Sequence, residues 1–324
     1  PCGRLFEKLG AHFLGVALVE EGMMLRRAGI SIPILIFGGI WGAQIKLFLD
    51  YDLDLTASSV SKLEAIEEVA SAAGKRARVH LKIDTGMERI GVHYYSADKL
   101  FEAATKVKSV DVVGMYSHLA KADTPTDKLT HLQLERLLDA RERCQQKFKL
   151  EIPRLHLANS AGTFLDSQYH LDLVRPGISF YGIQPFSDGV TREVVTKLKP
   201  GLSLRSTVVY FKVVKQGAGV SYGHTWSAPT DTRVVTIPIG YGDGYPRALS
   251  NKAAAIIRGK RYPLIGNVCM DQVMVDIGSG EAYNGDEVIL IGEQGSERIS
   301  VEQLATLANT IPYEILTALN VRMP

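Results

Sequence analysis

Cysteine is scarce in this chain of 324 residues: Cys2, Cys144 and Cys269 are the only three, far apart and without a CxxC pair. Such a scattered, odd set excludes a disulfide framework and a cysteine-based zinc site, and it fits a reducing cytoplasm. Long apolar runs are missing as well. No stretch approaches the roughly 20 residues of a membrane-spanning helix. The opening PCGRLFEKLG carries no apolar core after its basic residue, so no signal peptide is expected. Neither sign of charge dominates, with 37 Lys and Arg against 35 Asp and Glu. That balance gives no call for nucleic acid or an anionic membrane surface as a partner. Internal repeats, low-complexity segments, a nucleophile elbow, HExxH and a P-loop are all absent.

What is present is enough chain for one large domain or two ordinary ones, with an ample core. Over roughly the first 190 residues, short apolar β-branched runs alternate with helically periodic segments. Strands are predicted at 13–18, 33–37, 53–58, 78–84, 112–118, 154–159 and 173–179. Helices are predicted at 19–29, 59–74 (opening on a capping serine) and 126–147. This alternation implies parallel strands joined by crossover helices. Seven strands are countable, whereas a closed (β/α)8 barrel needs eight. The chain opens in helical RLFEKLG, which fits a barrel whose first strand precedes Pro1. An open, doubly wound seven-stranded sheet is the alternative.

Beyond about residue 190 helical periodicity gives way to β runs separated by glycine-rich turns, with one late helix near VEQLATLAN. An antiparallel β domain is expected there. The division is placed at 1–188 for the α/β barrel domain and 189–324 for the β domain.

Catalytic groups of a barrel sit at the C-terminal ends of its strands. Here those ends offer Lys82, Asp84 and Arg89, then His118 and Asp123, then Asn159 and Ser160, and finally Arg175, Gly177 and Ile178. In VHLKIDTGMERIG, Val79, Leu81 and Ile83 alternate with His80, Lys82 and Asp84. A solvated outer face is the ordinary explanation for a lysine there. Phosphate commonly binds the last two βα loops of a barrel. The NSAG loop offers Ser160 as helix cap and hydroxyl donor, and RPGI offers Gly177, where an anion can approach backbone N–H groups. Ser160 as a mere cap is the alternative. Arg175 lies in an apolar strand, where an unpaired charge is costly. Its partner is either a carboxylate such as Asp172 or the ring nitrogen of a ligand.

In the second domain VSYGHTW (220–226), PIGYGDGYPR (238–247) and GNVCMDQ (266–272) stand out. GYGDGY lacks GxGxxG spacing and opens no helix, so it is not a dinucleotide loop. Cys269-Met270-Asp271 has no second ligand at metal spacing, so no metal is expected.

These motifs together resemble the alanine racemases, pyridoxal 5′-phosphate enzymes of fold type III. LGVALVEEGMMLRRAGI, HLKIDTGMERIG, SHLAKAD, HLANSAG, LVRPGISFYGI, VSYGHTW, IGYGDGY, GNVCMDQ and IPYE follow the family's order along the whole chain. The resemblance implies that Lys82 is carbamylated by carbon dioxide and, so modified, holds Arg89, which orients the cofactor's ring oxygen and the substrate. An unmodified Lys82 paired with Asp84 is the alternative. Arg175 matches the arginine facing the pyridine nitrogen, and His118 the histidine linking it to the catalytic tyrosine. His156 supports from behind. Asn159, Ser160, Gly177, Ile178 and Tyr313 match the cofactor's phosphate surroundings.

The resemblance also implies a cytoplasmic homodimer with shared active sites, making D-alanine for peptidoglycan. Tyr222 is then the catalytic base for one enantiomer, donated with Tyr241 and Met270 by the partner subunit. Met270 lies near the substrate carboxylate, flanked by Cys269 and Asp271, and Asp123 and Arg247 line the access route. The family's Schiff-base lysine, in a motif such as KANAYGHG, is not found in the sequence, so the chain as printed is expected not to racemise. Alternatives are a racemase of broad specificity or for serine or basic amino acids, a non-catalytic cofactor-binding barrel, and a truncated structural piece.

Overall fold

The computed structural model describes residues 1–186, 193–320 and 322, so the expected 188/189 boundary lies outside the described residues. The chain forms two compact units, Pro1–Gly177 with Pro185–Thr196, and Ile178–Gln184 with Lys197–Pro324.

In the first unit the strands are β1 (Leu14–Val16), β2 (Ile34–Ile36), β3 (Leu55–Ala57), β4 (Ala77–Asp84), β5 (Val92–His93), β6 (Val110–Tyr116) and β7 (Leu155–His156). β1 pairs parallel with β2, and a parallel bridge from Leu35 to Asp54 continues toward β3. β3, β4, β6 and β7 then follow as parallel neighbours, with the short β5 set beside β4. A last parallel bridge joins His156 to Leu173. Neighbours thus succeed one another in chain order with no reversal. That is barrel topology, because a doubly wound sheet reverses at a switch point.

Helices fill the crossovers. Val60–Ala72 starts where the extended Ser59 accepts the Lys62 N–H at 3.2 Å, and it buries Leu63, Ile66 and Ala70 along one stripe. Leu129–Phe148 ends at Lys149, whose left-handed φ of 55° closes the last turn. Ile45–Asp50 and Asp98–Ala104 were not anticipated from the sequence. β4 is buried on both faces, so the ordinary solvated-face explanation for Lys82 fails.

The expected strand at 173–179 is corrected to a single bridge at Leu173 followed by a 3-10 turn, Ile178–Tyr181. Pro176 is the reason: it has no N–H for a ladder and constrains the residue before it.

The second unit is antiparallel. An eight-stranded sheet runs from Glu297–Ile299 through Glu287–Gln294, Ala254–Ile257, Lys260–Ile265, Val273–Gly278 and Thr232–Ile237 to Tyr210–Val214, with Leu204–Thr207 also on Glu287–Gln294. Its core holds Val235, Ile237, Ala255, Val275 and Leu290, all fully buried. Two late helices stand where one was expected, Val301–Ala308 and Pro312–Ala318. Asn309, in the left-handed region, ends the first, and Pro312 opens the second. No helix among the described residues is long and apolar enough to cross a membrane.

Candidate active site

The inward side of β4 carries His80, Lys82 and Asp84, all buried. Lys82 Nζ sits over the Tyr116 ring, 4.3 Å from its centroid. Burial, then the nearby Arg175 and Arg89 charges, hold its amine well below the usual lysine range, against the opposing pull of Asp84. The suggested Lys82–Asp84 pair is not formed. Asp84 instead accepts the backbone N–H groups of Gly86, Met87, Glu88 and Arg89 at 2.8–3.2 Å. These bonds wrap the loop so that the exposed Arg89 and His118 line one narrow cleft with Lys82. Gly91 permits the wrap: at φ 124°, a Cβ there would meet the Lys82 carbonyl at 2.9 Å.

Among the described residues Arg175 has no carboxylate partner, and Asp172 instead accepts the Leu155 N–H at 2.7 Å. Its guanidinium donates instead to His156 Nδ1 at 2.8 Å and to the carbonyls of Ser117 and Leu157 at 2.7 and 3.0 Å. Two of its five N–H groups, on Nε and Nη1, have no acceptor among the described residues and are available to a ligand. Burial pushes its pKa down to about 10, so the group remains a cation near neutrality. Tyr116 lies flat on His156, with centroids 4.8 Å apart and planes within 6°. Its hydroxyl meets Thr56 Oγ1 at 2.8 Å; Thr56 donates to the Ile36 carbonyl, so Tyr116 is the donor. Desolvation raises the Tyr116 phenol to about 12.

His118 makes no hydrogen bond to Arg175 among the described residues; the histidine bonded to that arginine is His156. Burial and the charges of Arg175, Lys82 and Arg89 push the His118 imidazole down to about 3, so it is neutral. Its loop is clamped by buried Gln133, which donates to the His118 carbonyl at 2.8 Å and accepts the Ala120 N–H at 2.9 Å.

At the next loop the helix cap is Asn159 rather than Ser160. Asn159 Oδ1 accepts the Gly162 N–H at 2.9 Å. Ser160 is thereby released to accept the Gly177 N–H at 2.7 Å, tying the two candidate phosphate loops together. Nothing lies within 4 Å of where a Gly177 Cβ would stand, so an anion has open approach to this junction. The donor set of Ser160, the glycine loop and a lasting cation at Arg175 fits a flat anionic ring with a basic nitrogen. Asp123 is exposed in the loop after β6.

In the second unit, Ile178 is buried in the core and Tyr313 lies half-exposed on the last helix. Tyr222 stands 73% exposed on a tight turn. Asn267 Nδ2 holds its carbonyl at 2.7 Å, and Ser221 Oγ holds the Asn267 carbonyl at 2.7 Å. Ser221 Oγ also contacts Cys269 Sγ at 3.4 Å. The Tyr241 and Gly242 N–H groups bond the Cys269 and Met270 carbonyls. Tyr222, Tyr241, Cys269 and Met270 therefore belong to one backbone-linked patch with exposed side chains at three of the four. Asp271 pairs with Arg322 at 2.5 Å, and Arg247 is exposed on a neighbouring turn. Among the described residues no group of side chains could hold a metal ion.

Sequence reasoning missed Thr56, Tyr116, Gln133 and the role of His80. The period-two alternation of β4 did place His80 on the Lys82 side, and that was the available signal.

The family model described as "Alanine racemase, N-terminal domain" matches residues 1–185, and "Alanine racemase, C-terminal domain" matches 201–324. An alanine racemase of Symbiobacterium thermophilum is 42% identical over 97% of this chain and 83% of its own length. Another, from Halothermothrix orenii, is 36% identical over 100% of this chain and 85% of its own. The crystal structure of alanine racemase from D-cycloserine-producing Streptomyces lavendulae superimposes with a TM-score of 0.95 at 34% identity, covering 100% of this chain and 85% of that one.

Proposed function

The chain belongs to the alanine racemase family, and from that premise we propose that the complete parent protein interconverts L- and D-alanine with pyridoxal 5′-phosphate, as a homodimer with shared sites, while the sequence as it stands, without the family's Schiff-base lysine, does not racemise. When bound, the cofactor withdraws electrons from the substrate and so acidifies its Cα–H. The protein's own groups do the rest. Ser160 and the Gly177 loop take the phosphate, with Asn159, Ile178 and Tyr313 around it. Arg175 directs its uncommitted N–H groups at the ring nitrogen. A guanidinium does not give up its proton there, so that nitrogen stays an acceptor. The single observation that carries this reading is the seating of Arg175: charged, locked by an imidazole and two carbonyls, and still holding two N–H groups in reserve.

Lys82, whose amine is held well below the usual lysine range by its surroundings, adds carbon dioxide at Nζ and releases a proton, giving a carbamate anion for Arg89. Inversion at Cα needs a proton removed on one face and returned on the other. Tyr222 of a second copy serves one face, with that copy's Tyr241 and Met270 beside the substrate. The exposure of this patch supports such a use. His118 reaches toward that tyrosine, while Asp123 and Arg247 line the access route with Cys269 and Asp271 nearby. The cofactor domain spans 1–188 and the β domain 189–324. The reaction belongs in the cytoplasm and supplies peptidoglycan.

The test is conversion of L-alanine to D-alanine by the full-length protein with cofactor, read by an enzyme that oxidises only D-amino acids. Serine, lysine and arginine run in parallel. No D-alanine above background, or faster conversion of another amino acid, overturns the reading.

A further inference from the structure

Behind Arg175 and the His156 imidazole that locks it lie further buried groups that the cofactor reading does not use, His80 and Asp54. Arg175 can only donate, so His156 Nδ1, at 2.8 Å, has to be an acceptor. The proton of neutral His156 is then on Nε2, which lies 2.9 Å from His80 Nδ1. That contact in turn makes His80 Nδ1 the acceptor and places the His80 proton on Nε2. His80 Nε2 lies 3.5 Å from Asp54 Oδ2, an ion-pair rather than a hydrogen-bond distance. Asp54 can only accept while ionised, and Arg78 Nε holds its other oxygen at 2.6 Å. His80, His156 and Asp54 are each at most 1% exposed.

The polarity of the line is imposed from the Arg175 end; at the other end His80 Nε2, which has no hydrogen-bond partner among the described residues, faces the Asp54 carboxylate. A proton on His156 Nδ1 would set two donors face to face with Arg175. Burial, Arg175, His80, Lys82 and Arg154 all disfavour a charged His156. Tyr116 stacks on one ring and Phe13 meets the edge of the other, so neither imidazole turns freely.

We propose that His80, facing the Asp54 carboxylate, is a positioning residue: by accepting the His156 Nε2 proton it seats the His156 imidazole and thereby keeps an acceptor in place behind Arg175. It touches neither substrate nor cofactor. It acts by holding the guanidinium in the plane from which its free N–H groups face a ring nitrogen. The link to cofactor affinity rests on the proposed function; the tautomer assignment does not.

The test is nitrogen-15 NMR of the histidine-labelled full-length protein near neutral pH, with and without pyridoxal phosphate. The wild type is expected to show His156 unprotonated at Nδ1 and protonated at Nε2. His80→Leu removes the acceptor and leaves the His156 Nε2–H unsatisfied, so the His156 Nε2 resonance should shift and the cofactor dissociation constant should rise roughly tenfold. His80→Asn, whose Oδ1 falls near the former Nδ1, should restore both. A proton on His156 Nδ1 in the wild type overturns the proposal without any variant. So does a folded His80→Leu protein with an unchanged His156 pattern. A changed pattern with unaltered affinity overturns the link to Arg175, and leaves the racemase reading to its own assay.

Discussion

Gly114 sits opposite His80 in the β4–β6 register, and replacing it by alanine is the most direct strain on the buried histidines. A Cβ there would stand 2.4 Å from His80 Nδ1, 2.7 Å from Cε1 and 3.1 Å from the Arg154 carbonyl. The imidazole has little room to retreat, since His156, Phe13 and Tyr116 surround it with ring centroids 5.0, 6.2 and 6.4 Å away. Overpacking of this kind costs about 1–3 kcal/mol. Displacing His80 also strands the His156 Nε2–H, a buried donor worth about 1–3 kcal/mol when unsatisfied. Alanine recovers roughly 0.5–1 kcal/mol over glycine in a strand, which is too little to offset either loss.

Gly114→Ala is therefore expected to lose roughly 1–5 kcal/mol of stability. Urea unfolding of the full-length protein, followed by circular dichroism, reads the change. Gly177→Ala is the control: no atom lies within 4 Å of its added carbon, so stability should hold within about 0.5 kcal/mol. If Gly114→Ala is as stable as that control, the packing around His80 has been misjudged.

Acid should destabilise the protein through its histidines. His118 has its pKa lowered to about 3 and His156 is also lowered, so between pH 6.5 and 3 the unfolded chain binds protons the folded one refuses. Their contribution is full above pH 6.5 and declines as pH falls, by about 1.4 kcal/mol per pH unit for each histidine. His118→Gln should lower that slope by one proton in urea midpoints taken from pH 4 to 7, and an unchanged slope contradicts the assignment. On the proposed function Ser160→Ala would remove one hydrogen bond to the phosphate, and it should then raise the cofactor dissociation constant roughly 10–100-fold in a fluorescence titration. A change under about twofold would detach Ser160 from the phosphate site. In carbon-13-labelled bicarbonate, a carbamate resonance should appear in the wild type and vanish in Lys82→Gln; its absence from both would leave Lys82 unmodified.

The alternation of strand and helix was legible because a parallel sheet buried on both faces demands apolar runs, and crossover helices demand an apolar stripe. Six of the seven expected strands in the first unit appear, each shorter than or close to its run. The seventh misled because LVRPGIS is apolar enough for a strand while Pro176 denies it a ladder. Ser160 and Gly177 were legible as neighbours of a loop pair, but the cap was misassigned: Asn159 and Ser160 are equally good caps on paper, and only the Gly177 N–H distinguishes them. Gln133 was invisible because a polar residue on a helix's buried stripe acquires meaning only from the loop it clamps.

The order of residue types along the chain was sufficient for the barrel, the β domain and the resemblance that names the chemistry, since each depends on local periodicity or contiguous motifs. The partners of Arg175 were not. His80 and His156 are 76 residues apart and meet only because β4, β6 and β7 lie side by side. A tautomer is a property of such a contact, and no linear pattern encodes which nitrogen will find a donor.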